Sequence, residues 1–170
     1  VIETKEMLED LEEIDDYKEE YGLNPNDFRK SPDYVLTGRG QNDGRTLVIL
    51  EEVLDALNLI SPRPELIVRL HPKEDIADFS DYQDEVMLFS QDDDPLRVTY
   101  FSDGVVGMSS TLLLEVAAMG VPVISFVPRE IERFWVPQSK SINIPVVTKR
   151  KDINTALQLI LGTERKPARN

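Results

Sequence analysis

The sequence predicts an α/β domain of three layers, in which a mainly parallel sheet of about six strands is covered by helices on both faces. Short apolar segments alternate with longer amphipathic segments from residue 34 to residue 162, and this alternation is typical of strands joined by crossover helices. The apolar segments are also continuous, as in VPVISFV at 121–127. Continuous apolar strands indicate a parallel sheet that is buried on both faces.

The predicted strands and helices follow in chain order. The first strand begins YVLTGRG (34–40), which runs from a short strand into a glycine-containing loop; the other five strands are ELIVRLHP (65–72), EVMLFS (85–90), DGVVGM (103–108), VPVISFV (121–127) and INIPVV (142–147). Helices are predicted at 44–60, 92–102, 109–120 and 150–162, with partly helical structure at 74–83. Acidic residues followed by Pro95 are typical of a helix start, and Gly120 is typical of a helix end.

The chain divides into three parts. Residues 1–33 are an acidic segment, with a predicted helix at 3–21 and a polar linker after it. Residues 34–162 contain the strand–helix alternation and form the predicted domain, and residues 163–170 are a basic tail. Because residue 1 is Val and an acidic helix precedes the alternation, we expect the chain to be a processed protein or a piece of a longer one.

Charge and composition exclude several function classes. The chain has 19 Lys and Arg residues against 32 Asp and Glu residues, which gives a formal net charge of −13. Such a chain is unsuited to bind nucleic acid or anionic lipid, since both require clustered basic residues. It has no Cys, which excludes disulfides, thiolate metal sites and Cys nucleophiles. No apolar run approaches the ~20 residues of a transmembrane segment, and the start is too acidic for a signal peptide, so a cytoplasmic protein is expected.

In sheets of this class, ligands bind at the carboxyl ends of the strands, where the strand order reverses. The first strand is followed by TGRGQNDGR at 37–45. Its glycines would let the backbone approach a ligand, and Arg39 and Arg45 would add positive charge, but a flexible turn explains the loop equally well. His71, the single histidine, follows the second strand. Its imidazole could contact a phosphate or carry a proton, or it could simply pack in a loop.

Ser109, Ser110 and Thr111 stand at the start of the helix after the DGVVGM strand. Ser110 is a candidate N-cap, and helix starts bind anions, so the hydroxyls indicate a phosphate site, with plain capping as the alternative. Glu115 lies four residues after Thr111 on the same helical stripe, too far along to be a capping-box partner. The rise of about 6 Å suits a carboxylate that binds ribose hydroxyls beside a phosphate. The alternative is a Glu that reaches solvent or pairs with an Arg such as Arg97.

Two stretches resemble a known family. LIVRLHPKED (66–75) and SDGVVGMSSTLLLEVAAMGVPVISF (102–126) resemble the Rossmann-like, nucleotide-binding carboxyl-terminal domain of GT-B glycosyltransferases and the related UDP-sugar 2-epimerases. The resemblance is greatest to families with an HP motif and a later Ser-Ser or Ser-Thr motif, which include sialyltransferase-like, CDP-glycerol glycerophosphotransferase-like and surface-carbohydrate proteins. It covers about residues 34–161, and its strongest part is S-S-T-x3-E-x4-G-x-P at 109–122.

The resemblance implies roles for the residues that match its motifs. His71 would contact the nucleotide phosphate or assist its departure as a catalytic residue. Ser109, Ser110 and Thr111 would bind the phosphates at the helix start, and Glu115 would hold the ribose hydroxyls.

Further roles follow from the same resemblance. The turn at Phe89 and Ser90 would read the base through its backbone, and Gly38 and Gly40 would line the phosphate side of the crevice. Such enzymes need no metal and no cofactor, because the helix dipole and the side chains neutralise the leaving phosphate. The acidic run DDD at 92–94 is interpreted as a helix start rather than as a DxD metal motif.

Three functions are therefore hypotheses for this chain. The first is the donor-binding part of a metal-independent glycosyl- or polyol-phosphate transferase in surface-polysaccharide synthesis, with a nucleotide-activated sugar or polyol as its substrate. A GT-B enzyme has two such domains, so the amino-terminal acceptor domain would be missing and the isolated chain would bind nucleotide without transferring sugar. The alternatives are a UDP-sugar 2-epimerase-like half enzyme and a non-catalytic Rossmann-like module.

Overall fold

The computed structural model describes residue 36, residues 38–40 and residues 44–162. The helices in this part are α1 (Arg45–Leu57), α2 (Pro95–Tyr100), α3 (Leu112–Ala118) and α4 (Arg150–Gly162), with 3₁₀ helices at Ile76–Tyr82 and Glu130–Trp135. The strands are β1 (Ile67–Arg69), β2 (Leu88–Ser90), β3 (Val105–Gly107), β4 (Val123–Phe126) and β5 (Val146–Val147). The predicted helix at 3–21, its linker and the tail at 163–170 lie outside the described residues.

Every strand pairing in the described part is parallel. Strands β1 and β2 form one sheet, in which Val68 is opposite Phe89. Strands β3, β4 and β5 form a second sheet in that order, in which Val106 is opposite Ile124. The predicted class, a mixed α/β fold with parallel strands, is therefore confirmed.

The predicted count of about six strands is not reached in the described residues, which contain five. The remaining one is the predicted first strand, which begins at residue 34 and runs into the glycine loop that starts at residue 37. Residues 34, 35 and 37 lie outside the described part, and Leu36 and residues 38–40 are not in a strand. Gly38 and Gly40 have φ angles of 60° and 76°, which belong to the left-handed region and agree with the predicted glycine loop after this strand.

The two sheets lie side by side and their strands run in the same direction. The amino-terminal flank of β1 (64–66) and that of β3 (102–104) line one cavity of about 410 Å³. The carboxyl-terminal halves of the two strands line a second, smaller cavity. From this boundary, β2 extends the structure in one direction and β4 with β5 extends it in the other. Within the described residues, β1 and β3 are therefore the strands that border the gap between the two sheets.

Helices cover both faces of the three-stranded sheet. All four residues of β4 are buried, and since successive strand residues point to opposite faces, both faces of this strand are covered. Helices α3 and α4 both contact β4, while α1 packs against α4 and α2 packs against α3. A second apolar cluster joins α1 to β1 and to the first 3₁₀ helix through Leu54, Leu70 and Phe79.

The local signals for helix ends are confirmed. The carboxylate of Asp94 accepts a hydrogen bond from the Leu96 amide over 3.0 Å, and Pro95 occupies the first turn of α2. Gly120, with a φ angle of 83°, follows the end of α3. The 3₁₀ helix at Glu130–Trp135 was not predicted.

None of the helices in the described ranges is long and apolar enough to cross a membrane.

Candidate functional site

Three of the predicted site residues lie at the carboxyl ends of parallel strands. His71 follows β1, Ser90 is the last residue of β2, and Ser109 follows β3. Among the described strands, β1 and β3 border the gap between the two sheets, because both line the same cavities. Ligands of open parallel sheets bind at this kind of position. The fold therefore places His71 and Ser109 on the two sides of one candidate crevice.

The turn at His71 is held by side chains from two loops. The carboxylate of Glu74 accepts a hydrogen bond from the His71 amide over 2.8 Å. The Gln91 amide group, which follows β2, donates to the carbonyl oxygens of His71 and Glu74 over 3.0 and 2.8 Å. The Lys73 amide donates to Nδ1 of His71 over 3.2 Å. Because Nδ1 accepts this bond, the neutral imidazole carries its proton on Nε2.

Glu74 also connects the turn to helix α1. Burial raises the pKa of the Glu74 carboxyl above its ordinary value of 4.5, and hydrogen bonds from the His71 amide and the Thr46 hydroxyl partly oppose this rise. Thr46 lies in the first turn of α1. The turn at His71 and the start of α1 are therefore neighbours at the carboxyl edge of the strands.

The three hydroxyl residues before α3 have different environments. Ser109 is only 3% exposed, and its buried Oγ has no hydrogen-bond partner among the described residues. Ser110 is also buried, and its Oγ accepts a hydrogen bond from the Leu112 amide over 3.2 Å. The N-cap residue of α3 is nevertheless Thr111, so the prediction of Ser110 as the N-cap is wrong by one position. Thr111 is exposed, and its side chain makes no cap hydrogen bond.

The first-turn amides of α3 are already hydrogen-bonded. Leu112 donates to the Ser110 hydroxyl, and Leu113 and Leu114 donate to the carbonyl oxygens of Ser110 and Thr111. An anion at this place would therefore be bound mainly by the Ser109 and Thr111 hydroxyls rather than by these three amides.

Glu115 is exposed on α3, as is Thr111. Residues four apart share one helical face, so the hydroxyl of Thr111 and the carboxylate of Glu115 stand on the same exposed stripe. Within the described residues the Glu115 side chain has no hydrogen bond and no ion pair, and the alternative pairing with Arg97 is not found there. The carboxylate is therefore accessible to a ligand.

The glycine loop lies against the middle of α1. The Gly38 amide donates to Glu52 over 2.9 Å, and the Arg39 amide donates to Glu51 over 2.6 Å. The Arg39 guanidinium binds both carboxylate oxygens of Glu85 over 2.7 and 2.8 Å, and these partners raise its pKa. Gly40 has open space around it. The Gly38 and Arg39 amides are therefore engaged by carboxylates, and the predicted role of this loop beside a phosphate stays a prediction.

The turn at Phe89 and Ser90 is tightly packed. The Phe89 ring lies 5.8 Å from the Phe79 ring, between centroids. Ser90 is buried, its hydroxyl donates to Asp93 over 3.0 Å, and its carbonyl oxygen accepts from Leu70 over 2.8 Å. Base recognition at this turn therefore also stays a prediction.

A buried charged cluster near the site was missed by the sequence reasoning. The carboxylate of Glu132, which is fully buried, accepts hydrogen bonds from Nε of Arg45 over 2.6 Å and from Nε of Arg129 over 2.7 Å. The Arg129 guanidinium also lies 5.6 Å from the Trp135 ring centroid. Arg45 and Glu132 are 87 residues apart in the chain, so no local pattern could have predicted their contact. Arg45 is thus a structural partner of Glu132.

Gln91 and Ser125 were also missed. The Ser125 hydroxyl, which is fully buried on β4, donates to the Met108 carbonyl oxygen over 2.5 Å and so fixes the residue that precedes Ser109. The position of Gln91 directly after a predicted strand was the available signal for its role. Within the described residues, no group of three or more His, Asp and Glu side chains is arranged to hold a metal ion.

Comparisons with protein-family models, curated proteins and solved structures gave no significant match. The resemblance to nucleotide-binding transferase domains therefore depends on the motifs alone.

Proposed function

We propose that this chain is the donor-nucleotide-binding domain of a metal-independent glycosyl- or polyol-phosphate transferase, with a Rossmann-like fold that forms one half of a GT-B enzyme. The observation that carries the proposal is the position of His71 and Ser109. They follow β1 and β3, the two described strands that border the gap between the sheets, and in the proposed fold the strand order would reverse there. Parallel α/β sheets bind nucleotides at such a place.

The chemistry of the side chains suits a nucleoside diphosphate or monophosphate. The Ser109 hydroxyl is buried without a partner in the part of the chain that the structure describes, and such a group requires a hydrogen-bond partner that a phosphate oxygen would supply. The exposed Thr111 hydroxyl would bind the same phosphate, and Glu115, one turn further along α3, would accept the two ribose hydroxyl protons.

His71 would stabilise the departing phosphate. Its neutral ring carries the proton on Nε2, because Nδ1 accepts from the Lys73 amide. An Nε2–H donor forms a hydrogen bond to a phosphate oxygen, and this bond strengthens as negative charge develops on the leaving nucleotide. The Glu74 and Gln91 hydrogen bonds hold the turn in which this ring stands.

Calorimetry with CMP, CDP, UDP and GDP, and with their 2′-deoxy forms, tests the proposal. We expect at least one ribonucleotide to bind and its 2′-deoxy form to bind about tenfold more weakly, a difference of about 1.4 kcal/mol. Glu115→Ala should bind the ribonucleotide as weakly as the deoxy form and should no longer distinguish the two. Asp78→Ala, which removes another exposed carboxylate, is the matched control and should behave as the original chain.

Two outcomes contradict the proposal. If none of the nucleotides binds, the chain is better explained as a non-catalytic module. If Glu115→Ala still prefers the ribonucleotide, Glu115 does not hold the ribose. Addition of EDTA should leave the affinity unchanged, since the side chains are expected to neutralise the phosphate without a metal.

A further inference from the structure

Helix α1 contributes to both apolar clusters and so lies between the two halves of the candidate crevice. Leu54 belongs to the second apolar cluster, as does Leu70, which directly precedes His71. Val53 belongs to the larger cluster, which is built on β3 and β4. We call β1, β2 and the second cluster the His71 side, and β3, β4, β5 and the larger cluster the Ser109 side. Apolar packing is not directional, so apolar contacts with α1 alone would let the two sides tilt against each other.

Another face of α1 presents three carboxylates, which belong to Glu51, Glu52 and Asp55. The Gly38 amide donates to Glu52 over 2.9 Å, and the Arg39 amide donates to Glu51 over 2.6 Å. These bonds fix the backbone of the glycine loop on the helix. They therefore also fix the place from which the Arg39 side chain extends.

The Arg39 guanidinium joins α1 to the His71 side. Its Nε and Nη2 donate to Oδ1 of Asp55 over 3.0 and 2.8 Å, and its Nη1 and Nη2 donate to the two carboxylate oxygens of Glu85 over 2.7 and 2.8 Å. Glu85 precedes β2, between Tyr82 and Val86, which are both buried in the second apolar cluster. A planar guanidinium that binds two carboxylates in this forked geometry has a fixed orientation. These bonds therefore set the angle between α1 and the His71 side.

Arg150 joins the same loop to the Ser109 side. It is the first residue of α4, which packs against β4. Its guanidinium donates to both carboxylate oxygens of Glu52 over 2.6 and 2.9 Å, and to the Gly38 carbonyl oxygen over 2.8 Å. The glycine loop is thus tied to both sides of the crevice, through Arg150 on one side and through Arg39 on the other.

We infer that Arg39 is a positioning residue of the candidate crevice, which sets the distance between the His71 turn and the Ser109 turn through its bonds to Asp55 and Glu85. Because both carboxylates engage its guanidinium, Arg39 acts through these two turns and not by contact with a ligand. Groups that bind one ligand from two sides must be held at the right separation. Only the effect of this separation on nucleotide affinity rests on the proposed function.

Distances between spin labels test the position of the two sides without any ligand, and the chain has no native Cys to interfere. Asp78→Cys places one label on the exposed surface of the first 3₁₀ helix, on the His71 side. Arg97→Cys places the other on the exposed surface of α2, which packs against α3 on the Ser109 side. In Arg39→Ala, the mean or the width of the distance distribution from double electron–electron resonance should change by about 2 Å or more, the size of a rearrangement between packed elements.

Two further variants in the labelled chain separate this link from a general loss of charge. Glu85→Ala removes the same contact from the other side and should change the distribution in the same way. The double variant should change it no more than Arg39→Ala does, because both substitutions break one contact. Arg133→Ala is the matched control. Its side chain is 41% exposed against 30% for Arg39, and it pairs with Glu130 on the Ser109 side, so it should leave the distribution unchanged.

Three results would overturn the inference. The first is an unchanged distribution in Arg39→Ala, and the second is an equal change in Arg133→Ala. The third is a change in Arg39→Ala with none in Glu85→Ala, since the bond to Glu85 is the proposed link. Each variant is measured below its own unfolding temperature, so that loss of the fold is not mistaken for movement of the two sides.

Calorimetry tests the effect of the separation on the site. A nucleotide that binds the original chain should bind Arg39→Ala about tenfold more weakly, and it should bind Arg133→Ala as it binds the original chain. Equal affinity in Arg39→Ala together with a changed label distance would show that the separation does not govern binding. If no nucleotide binds the original chain, the proposed function fails, whereas the label distances still decide the role of Arg39.

Discussion

The Glu74 carboxylate accepts a hydrogen bond from the His71 backbone amide over 2.8 Å, within the turn that follows β1. The bond fixes the only histidine of the chain at the carboxyl edge of the strands. The same carboxyl is partly buried, and this burial raises its pKa above the ordinary value of 4.5.

This raised pKa predicts an unusual dependence of stability on pH. A carboxyl whose pKa is higher in the folded chain than in the unfolded chain binds protons more tightly when folded. Its contribution to stability is therefore present below the unfolded pKa and is lost as the pH rises through the folded pKa. Glu74→Gln removes the titration. Relative to the original chain, Glu74→Gln should therefore have a higher free energy of unfolding at about pH 7 than it has at about pH 4.

Urea unfolding at the two pH values measures this difference, and an equal difference at both values would contradict it. Glu74→Ala is the control for the hydrogen bond itself. It removes the acceptor of the His71 amide, so we expect it to lower the free energy of unfolding by about 1 kcal/mol relative to Glu74→Gln at both pH values.

The buried cluster of Arg45, Glu132 and Arg129 predicts a large effect of one neutral substitution. Glu132→Gln leaves two buried guanidinium groups without the negative charge between them. We expect a loss of about 3–5 kcal/mol in the free energy of unfolding, as when one partner of a buried ion pair is removed. Glu130→Gln is the matched control in the same 3₁₀ helix. Its side chain is 61% exposed in a surface ion pair with Arg133, so a loss below about 1 kcal/mol is expected. Similar losses from both variants would show that burial of the cluster contributes little.

The two glycines of the loop should differ in their tolerance of alanine. Both have positive φ angles, 60° at Gly38 and 76° at Gly40, and this conformation alone costs an alanine about 1–2 kcal/mol. At Gly40 a methyl group meets no atom within 4 Å, whereas at Gly38 it would lie 2.3 Å from Oε2 of Glu51. That oxygen also accepts the Arg39 amide. We therefore expect Gly38→Ala to lose about 1–3 kcal/mol more than Gly40→Ala in chemical unfolding, and equal losses would show that the loop moves away from Glu51 without penalty.

Glu115 should matter for ligand binding and not for stability. It is exposed and has no partner within the described part of the chain, so Glu115→Ala should change the free energy of unfolding by no more than about 0.5 kcal/mol. Glu51→Ala is the contrasting variant. It removes the acceptor of the Tyr82 hydroxyl and of the Arg39 amide in the interior, and we expect it to cost at least about 2 kcal/mol. Thermal unfolding of both variants checks the contrast, and a large loss in Glu115→Ala would indicate a structural role for that residue.

Much of the fold could be predicted because its signals are local. The last helix has the bounds that were predicted, 150–162, and the Pro95 and Gly120 signals mark the start of α2 and the end of α3. The strands are shorter than their apolar segments, since pairing ends where the chain turns toward each helix. The 3₁₀ helix at Glu130–Trp135 escaped prediction because its charged residues have no helical periodicity and its stability comes from contacts with distant residues.

The sequence alone determined which residues stand at the carboxyl ends of the strands, because a strand's end is a local event. It identified His71, Ser109, Ser110, Thr111 and Glu115 as candidates in this way. Only the tertiary structure decided how these residues are held: Glu74 and Gln91 fix the histidine turn, Ser109 is buried without a partner, and Glu115 is open to solvent. It also decided that Gly38 and Arg39 contact carboxylates of α1 and that Arg45 is buried against Glu132. These facts depend on which elements become neighbours in space, and packing between distant segments determines that.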